Sequence, residues 1–192
     1  MARLHDLFRY LSEQRASDLH LAAGMKPRVR LHGTLVDVPG WETLAPADLL
    51  AMMREIAPER PWREYEETGD GDFAYGLPGV ARFRANYLRQ ENGPAAVFRM
   101  IPETIVPLAS LGVPPAIESL AHLQSGLVLV TGPTGSGKST TQAAMIGHIN
   151  GTQRRHILTL EDPIEYLHPH NLSIVSQREV GTDVPTFADG LR

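Results

Sequence analysis

Residues 132–139 read Gly132-Pro133-Thr134-Gly135-Ser136-Gly137-Lys138-Ser139 and are followed by Thr140. They match the pattern Gly-x-x-x-x-Gly-Lys-Ser/Thr at all of its fixed positions. Glycines in this pattern let backbone N–H groups turn toward phosphate oxygens, because no Cβ stands in the way. The lysine reaches the β- and γ-phosphates of a nucleotide, and the hydroxyl after it ligates Mg²⁺. Residues 132–140 are therefore predicted to bind a nucleotide, with Ser139 as a metal ligand.

The two flanks of this loop supply the context that the pattern needs. Gly126 to Thr131 is a short apolar run rich in β-branched residues, which predicts a buried parallel strand. Thr140 to Asn150 is predicted to form a helix whose Ala143 and Ile146 point inward. A strand, a glycine loop and a helix in this order favour a phosphate-binding loop over a chance glycine-rich turn with a surface lysine.

Composition limits the class of protein. The chain has 192 residues, 42% of them apolar, which is enough for one large or two small domains with packed cores. Its net charge of −4 argues against general nucleic-acid binding, and the lack of cysteine excludes disulfides and zinc–thiolate sites. The first residues lack the apolar core of a signal peptide, and no run approaches the roughly 18 apolar residues of a membrane span. We therefore expect a cytoplasmic protein without a membrane span or a nucleic-acid partner.

The nucleotide is predicted to be ATP rather than GTP. The chain contains two lysines, Lys26 and Lys138, against sixteen arginines. A guanine-specificity motif of the form Asn-Lys-x-Asp needs a lysine directly after an asparagine, and neither lysine stands in that context.

Hydrophobic periodicity divides the N-terminal part of the chain into helices and strands. Apolar residues recur every three to four positions over 3–14 and 46–57, which predicts two helices, the second ended by Pro58 and Pro61. Asn92-Gly93 is a hairpin signal between two alternating runs. Alternating apolar and polar residues predict strands over 16–21, 28–32, 72–75, 80–89 and 95–101.

A proline-rich stretch marks a predicted boundary between two domains. Residues 102–115 carry the prolines Pro102, Pro107, Pro114 and Pro115. Residues 1–103 are therefore predicted to form an N-terminal domain, 104–115 a linker and 116–192 a second domain. Besides the phosphate loop and its helix, the second domain is predicted to contain a helix over 116–123, strands over 155–160 and 172–175, and a helix from Thr186 onward.

Arginines gather on one face of the predicted hairpin. Along the strand 80–89, Phe83, Ala85 and Tyr87 point one way, whereas Arg82 and Arg84 point the other way. Arg99 stands on the returning strand. The residue pattern leaves two interpretations open, namely a solvated outer face of the sheet and a cluster that binds an anion.

Three acidic residues follow the apolar run 155–160, and they are Glu161, Asp162 and Glu165. Ligands of parallel α/β sheets bind beyond the carboxyl ends of the strands, so these carboxylates could face the phosphate loop and hold Mg²⁺ or orient water. The alternative is that they are the N-cap and first-turn acids of a helix that begins at Pro163. The residues alone favour neither alternative.

Taken in order, several stretches together resemble one known group of proteins, the type II/IV secretion and pilus ATPase superfamily. The resemblance is greatest to its twitching-motility, pilus-retraction (PilT-like) branch and spans nearly the whole chain. The short sequence before Ser17-Asp18 also fits that branch. The stretches are 16–21, 82–86, 96–99, 126–140, 160–166 and 177–180.

This resemblance implies a fold, a chemistry and partners. The fold would be α/β, with a PAS-like α+β N-terminal domain followed by a RecA-like P-loop ATPase domain, six of each in a ring. ATP with Mg²⁺ would bind near both domains, where Arg82, Arg84 and Arg99 would stabilise charge at the γ-phosphate. Glu161, Asp162 and Glu165 match the acidic motif of the family, with Glu161 near the metal. The ring would act on an inner-membrane pilus platform protein, from the cytoplasmic side at the pilus base.

The sequence departs from the family pattern at one point. Members continue with a Walker B strand, whose glutamate activates water, and then with a histidine motif, and residues 1–192 contain neither. A C-terminally incomplete RecA-like domain is therefore expected, which binds ATP with weak or absent turnover. Two alternatives stay open: a type II secretion or pilus-extension ATPase, and a non-catalytic nucleotide-binding or assembly module.

Overall fold

The computed structural model describes residues 3–101, 104–133 and 135–192. The chain separates into two compact units, the first ending at Ile101 and the second extending to Arg192. The first is an α+β unit, and the second combines a P-loop helix with parallel strands. The predicted fold class, an α+β domain followed by an α/β domain, is thereby confirmed.

The first unit is built on a six-stranded antiparallel sheet in the order β3-β2-β1-β6-β5-β4. The two central strands, β1 and β6, pair with each other, so the first strand of the chain lies beside the second strand of the β5–β6 hairpin, with Asp18 opposite Arg99. The strands are β1 Asp18–Ala22, β2 Arg28–Leu31, β3 Thr34–Asp37, β4 Asp70–Leu77, β5 Ala81–Gln90 and β6 Gly93–Ile101.

Three helices contribute to the core of this unit, and they are α1 Leu4–Glu13, α2 Pro46–Ile56 and α3 Glu59–Thr68. Each buries one apolar stripe, as the periodicity of α1 and α2 predicts. Phe8 of α1 stacks on Phe83 with the ring centroids 4.2 Å apart, and meets the edge of Phe98 at 5.0 Å. The core therefore lies between these helices and one face of the sheet.

Two elements of the first unit are absent from the sequence prediction. The helix α3 begins directly after Pro58, and Pro61 lies in its first turn. A helix does not use the backbone N–H groups of its first turn, so proline is tolerated there and does not end the helical region. The strand β3 follows the two-residue turn His32-Gly33, whose φ values of 49° and 86° are those of a tight hairpin turn.

The second unit contains one parallel pair of strands, with Glu161 opposite Glu179 at its end. The predicted helix after the phosphate loop is confirmed and runs from Lys138 to Thr152. The elements of this unit are a 3₁₀ turn Leu108–Ser110, α4 Pro115–Leu120, α5 Lys138–Thr152, β7 His156–Glu161, β8 Ile174–Glu179 and α6 Phe187–Gly190.

The prediction of a buried strand over 126–131 is wrong for this structure. The segment has no strand assignment, and Leu127 and Leu129 are 83% and 74% exposed. A strand is held by hydrogen bonds to its neighbours, and in the described residues β7 and β8 pair with each other and with no further strand. Val128 and Val130 nevertheless line a cavity beside α5.

None of the helices in the described residues is long and apolar enough to cross a membrane.

Candidate nucleotide-binding site

The phosphate loop turns through two glycines in the left-handed region. Gly135 has φ 80° and Gly137 has φ 89°, and α5 begins at the next residue, Lys138. Other residue types rarely adopt this conformation, so glycine is required at both positions. The loop thereby ends at the N-terminus of a fifteen-residue helix, where backbone N–H groups without helical partners favour an anion.

The beginning of the loop is closely packed against its own middle. A Cβ atom at Gly132 would stand 2.6 Å from the Ser136 hydroxyl oxygen. The Ser136 backbone N–H donates to the Pro133 carbonyl at 3.2 Å. Glycine at position 132 therefore lets the loop fold back on itself into the compact shape that surrounds a phosphate.

Lys138 bends back over this loop. Its Nζ donates to the carbonyl oxygens of Gly132 and Pro133, both at 2.9 Å. Both acceptors are neutral, whereas phosphate oxygens are charged and form shorter, stronger hydrogen bonds with an ammonium group. The lysine is thus held at the loop by contacts that phosphate oxygens could replace.

A hydrogen bond links the start of α5 to the acidic segment after β7. The hydroxyls of Thr140 and Tyr166 are 3.1 Å apart, and Tyr166 is buried. The same segment is fixed to β8, because the Ile164 N–H donates to a Glu179 carboxylate oxygen at 3.0 Å. Hydrogen bonds therefore connect the start of α5, the segment after β7 and the end of β8 to one another.

A cavity of about 500 Å³ lies between α5, β7 and the acidic segment. The predicted metal ligand Ser139 and the acids Glu161, Asp162 and Glu165 all line it. No helix begins at Pro163 in the described residues, so the helix-cap interpretation of these acids is wrong. Ser139 and the three acids thus share one cavity, whose other lining residues are largely apolar, and their oxygen atoms are of the kind that Mg²⁺ prefers as ligands.

Two side-chain hydrogen bonds anchor Glu161. Its Oε1 accepts hydrogen bonds from the Thr159 hydroxyl at 2.7 Å and from the Gln177 side-chain amide at 3.0 Å. These contacts hold the carboxylate at the end of β7. Asp162 is exposed, whereas Glu161 and Glu165 are both half-buried.

His168 also lines this cavity. The sequence His168-Pro169-His170 is typical of a surface loop, but the Nδ1 of His168 is buried and has no hydrogen-bond partner among the described residues. Burial lowers the pKa of His168, and the neighbouring Glu161 carboxylate opposes that effect only in part. The imidazole is therefore neutral at pH 7 and contributes a polar but uncharged edge to the cavity.

The three candidate arginines belong to the first unit. On β5, Phe83, Ala85 and Tyr87 are buried, and Arg82 and Arg84 point to the opposite face, as predicted. Arg84 on β5 and Arg99 on β6 are direct cross-strand neighbours.

Each of these two cross-strand neighbours has a carboxylate partner. Arg84 forms an ion pair with Asp72 at 2.6 Å, and the Arg99 Nε donates to Asp18 at 3.0 Å. Asp18 is 5% exposed and also pairs with Arg30 at 3.3 Å. Burial by itself would raise the pKa of Asp18, but the hydrogen bond from Ser17 and the Arg99 guanidinium hold it below its ordinary value. The arginine face thus carries ion pairs, while the side chains of Arg84 and Arg99 stay 40% and 58% exposed to solvent.

Comparison with known proteins identifies relatives across the whole chain. The sequence profile of the family described as "Type II/IV secretion system protein" matches residues 2–192. The chain is 42% identical over 189 residues to the "Type IV pilus retractation ATPase PilT" of Pseudomonas aeruginosa. It is also 42% identical over 167 residues to a "Twitching motility protein" of Neisseria gonorrhoeae. These matches cover 97% and 86% of this chain.

A solved structure shows the same architecture. The crystal structure of the pilus retraction motor PilT and bound ADP aligns with 97% of this chain at a TM-score of 0.89 and 45% sequence identity. The chain spans about half of these proteins, namely 54% and 44% of the two relatives and 55% of the chain in the crystal structure.

Proposed function

Because the chain belongs to the type II/IV secretion system protein family, we propose that it is part of an ATP-driven motor for pilus retraction. Its second unit binds ATP at residues 132–140. The observation that carries this proposal is the closed glycine loop, with Lys138 lying across it, at the N-terminus of α5. The similarity to proteins named for pilus retraction and twitching motility favours this motor over a secretion or pilus-extension ATPase.

The residues of the loop suit a triphosphate. Gly132, Gly135 and Gly137 leave backbone N–H groups uncovered, and the helix N-terminus adds roughly 0.3–1 kcal/mol for a nearby anion. Lys138 exchanges the carbonyls of Gly132 and Pro133 for phosphate oxygens, since charged acceptors bind an ammonium group more strongly. A bound Mg²⁺ would neutralise phosphate charge. The Ser139 hydroxyl and the Glu161 carboxylate are positioned to hold it, directly or through water.

The acids after β7 orient water near the phosphates. Glu161 keeps its carboxylate fixed through Thr159 and Gln177, and Asp162 and Glu165 line the same cavity. Residues 1–192 contain no Walker B glutamate, so this chain is expected to bind ATP with little or no turnover.

The experiment that tests the proposal measures ATP and ADP binding by isothermal titration calorimetry, with Mg²⁺-ATP hydrolysis followed in parallel. We expect binding by the chain and a loss of at least about tenfold in affinity for Lys138→Ala. Lys26→Ala is the matched control, because Lys26 is exposed and lies in the first unit. Equal affinity of the chain and Lys138→Ala would refute the site, and lysine-dependent turnover would show that the acids after β7 suffice for catalysis.

The arginines of the first unit are proposed to stabilise charge on the γ-phosphate during hydrolysis. Arg84→Ala, in the longest natural form of the protein, is expected to lower turnover much more than nucleotide affinity. Arg60→Ala, an exposed arginine of α3, serves as the control. Equal losses in turnover and affinity for Arg84→Ala would instead indicate a role in folding or ground-state binding.

The assembly and partners are proposals of the same kind. Six copies would form a ring in which residues 1–103 act as the PAS-like domain and 104–115 as the linker to the ATPase domain. The ring would act on a platform protein at the inner membrane, from its cytoplasmic side. Light scattering on the longest natural form of the protein, with and without ATP, measures the molar mass and so tests for the ring. A molar mass equal to that of the monomer under both conditions would refute the hexamer.

A further inference from the structure

Three side chains of the second unit meet at a point that the nucleotide site does not include. Glu118 lies in α4, His122 in the turn that follows α4, and His148 in α5. One ligand atom from each lies within 4.8 Å of the other two, and no other such trio occurs among the residues that the structure describes. His148 follows Lys138 by ten residues of α5, a separation of roughly 15 Å along the helix axis.

From this arrangement we propose that Glu118, His122 and His148 form a binding site for a divalent transition-metal ion of the Zn²⁺ type. Two imidazoles and one carboxylate are a ligand set that Zn²⁺ uses, with water in the remaining position. Mg²⁺ and Ca²⁺ prefer oxygen ligands throughout, so this site differs in chemistry from the one at Ser139.

The strongest support comes from His148. Its Nε2 is buried and has no hydrogen-bond partner in residues 3–101, 104–133 and 135–192. The nearest carboxylate oxygen of Glu118 is 4.0 Å away, which is too far for a hydrogen bond. Burying a polar nitrogen without a partner is unfavourable, and a metal ion at this point would supply the missing partner.

The distances suit an ion between the side chains. Two ligands on one tetrahedral Zn²⁺, each about 2.0–2.2 Å from the metal, lie roughly 3.4 Å apart. The 4.0 Å between His148 and Glu118 therefore closes with a shift of about half an ångström. The rings of His122 and His148 stand edge to face with centroids 5.4 Å apart, so the two imidazoles are direct neighbours.

The surroundings hold the ligands and leave a path for the ion. The Gln153 side-chain amide donates to the Ala121 carbonyl at 2.9 Å, which fixes the turn that carries His122. The Glu118 side chain is 58% exposed, so the ion can enter from solvent. A bound ion would join the end of α4 to the middle of the helix that begins at the phosphate loop.

The test titrates the tag-free, metal-stripped chain with Zn²⁺ by isothermal titration calorimetry in the absence of nucleotide. We expect one equivalent of Zn²⁺ to bind, and His122→Ala, Glu118→Gln and His148→Ala each to weaken binding by about tenfold or more. His156→Ala is the matched control, because His156 is an exposed histidine of β7 outside the trio. Lys138→Ala should bind Zn²⁺ like the unaltered chain.

Thermal unfolding gives a second, independent readout. Zn²⁺ should raise the unfolding temperature of the chain and not that of His122→Ala, since only the folded site binds the ion. His122 is exposed, so its replacement leaves the fold intact even if His148→Ala does not fold. Unchanged Zn²⁺ affinity in His122→Ala and Glu118→Gln would overturn the proposal, as would full displacement of Zn²⁺ by equimolar Mg²⁺.

Discussion

Single atoms decide the shape of the phosphate loop. Gly132 has φ 150°, and an added Cβ would meet the Ser136 hydroxyl oxygen at 2.6 Å. Such a contact is closer than two non-bonded atoms tolerate, so the Ser136 side chain must rotate, and the φ of 150° strains any residue with a Cβ, so the turn shifts as well. Because the loop is exposed, the added methyl group distorts the turn that binds the phosphates and leaves the packing of the hydrophobic core unchanged.

Gly132→Ala is therefore expected to weaken ADP affinity by roughly tenfold while leaving the free energy of unfolding within about 0.5 kcal/mol. Calorimetric titration with ADP and urea unfolding measure the two quantities. Gly151→Ala is the matched control in α5, because a Cβ there comes no closer than 3.9 Å to any neighbour. That control should bind ADP normally and gain up to about 1 kcal/mol in stability, since alanine favours a helix. Normal ADP affinity in Gly132→Ala would contradict the proposed role of the turn.

At the scale of elements, one row of charges crosses three neighbouring strands. Asp18 of β1, Arg99 of β6 and Arg84 of β5 lie directly opposite one another in turn. Arg84 and Arg99 would repel each other, and the ion pair between Arg99 and the nearly buried Asp18 offsets this repulsion. Asp18 also pairs with Arg30. The acid thereby fixes the position of an arginine that is proposed to act on the nucleotide.

Asp18→Asn should lower the free energy of unfolding by about 1–3 kcal/mol at pH 7, because two guanidiniums lose their buried carboxylate partner. Since folding lowers the pKa of Asp18, its stabilisation is present above the unfolded pKa of about 3.9 and is lost as pH falls through the folded value. The difference between the two proteins should therefore shrink toward zero in acid. Urea unfolding between about pH 2 and pH 7 measures this difference and covers the range below the unfolded pKa in which it should disappear.

Asp37→Asn provides the control for this pH series. Asp37 pairs with Arg28 at 2.7 Å in the same sheet, but its side chain is 52% exposed. Solvent screens such a pair, so the expected loss is about 0–1 kcal/mol. If both variants lost the same stability, burial of Asp18 would not be the cause.

The two units of the whole molecule are stabilised to different degrees. The largest fully buried side chains, among them Phe8, Phe83 and Tyr87, all belong to the first unit. The second unit leaves large apolar side chains exposed, with Leu127 at 83% and Ile174 at 62%. Hydrophobic burial scales with the area removed from water, so the first unit has the greater stability of its own.

We expect the fragment 1–101 to fold by itself and to unfold in one cooperative transition. In the whole chain, calorimetry should resolve an additional transition for the second unit at lower temperature. ADP at about 100 times its dissociation constant should stabilise only that transition, by about 2.7 kcal/mol. A single transition that moves as a whole with ADP would show instead that the two units unfold together.

Local patterns in the sequence were sufficient for much of this protein. The spacing of glycines and lysine over 132–139 predicts the phosphate loop, and alternation along β5 predicts which face carries Arg82 and Arg84. Helical periodicity predicts α1 and α2. These features depend on neighbours within a few residues, so the order of residues contains the information.

Tertiary structure decided the rest, because it depends on contacts between distant residues. The strand predicted over 126–131 needs hydrogen-bonded neighbours, which periodicity cannot supply. The burial of Asp18 follows from the pairing of β1 with β6, eighty-one residues apart at Asp18 and Arg99. His148 meets Glu118 and His122 only because α5 packs near the end of α4. A sequence pattern records which side chains are present, and the packing of elements determines which of them can bind one ion together.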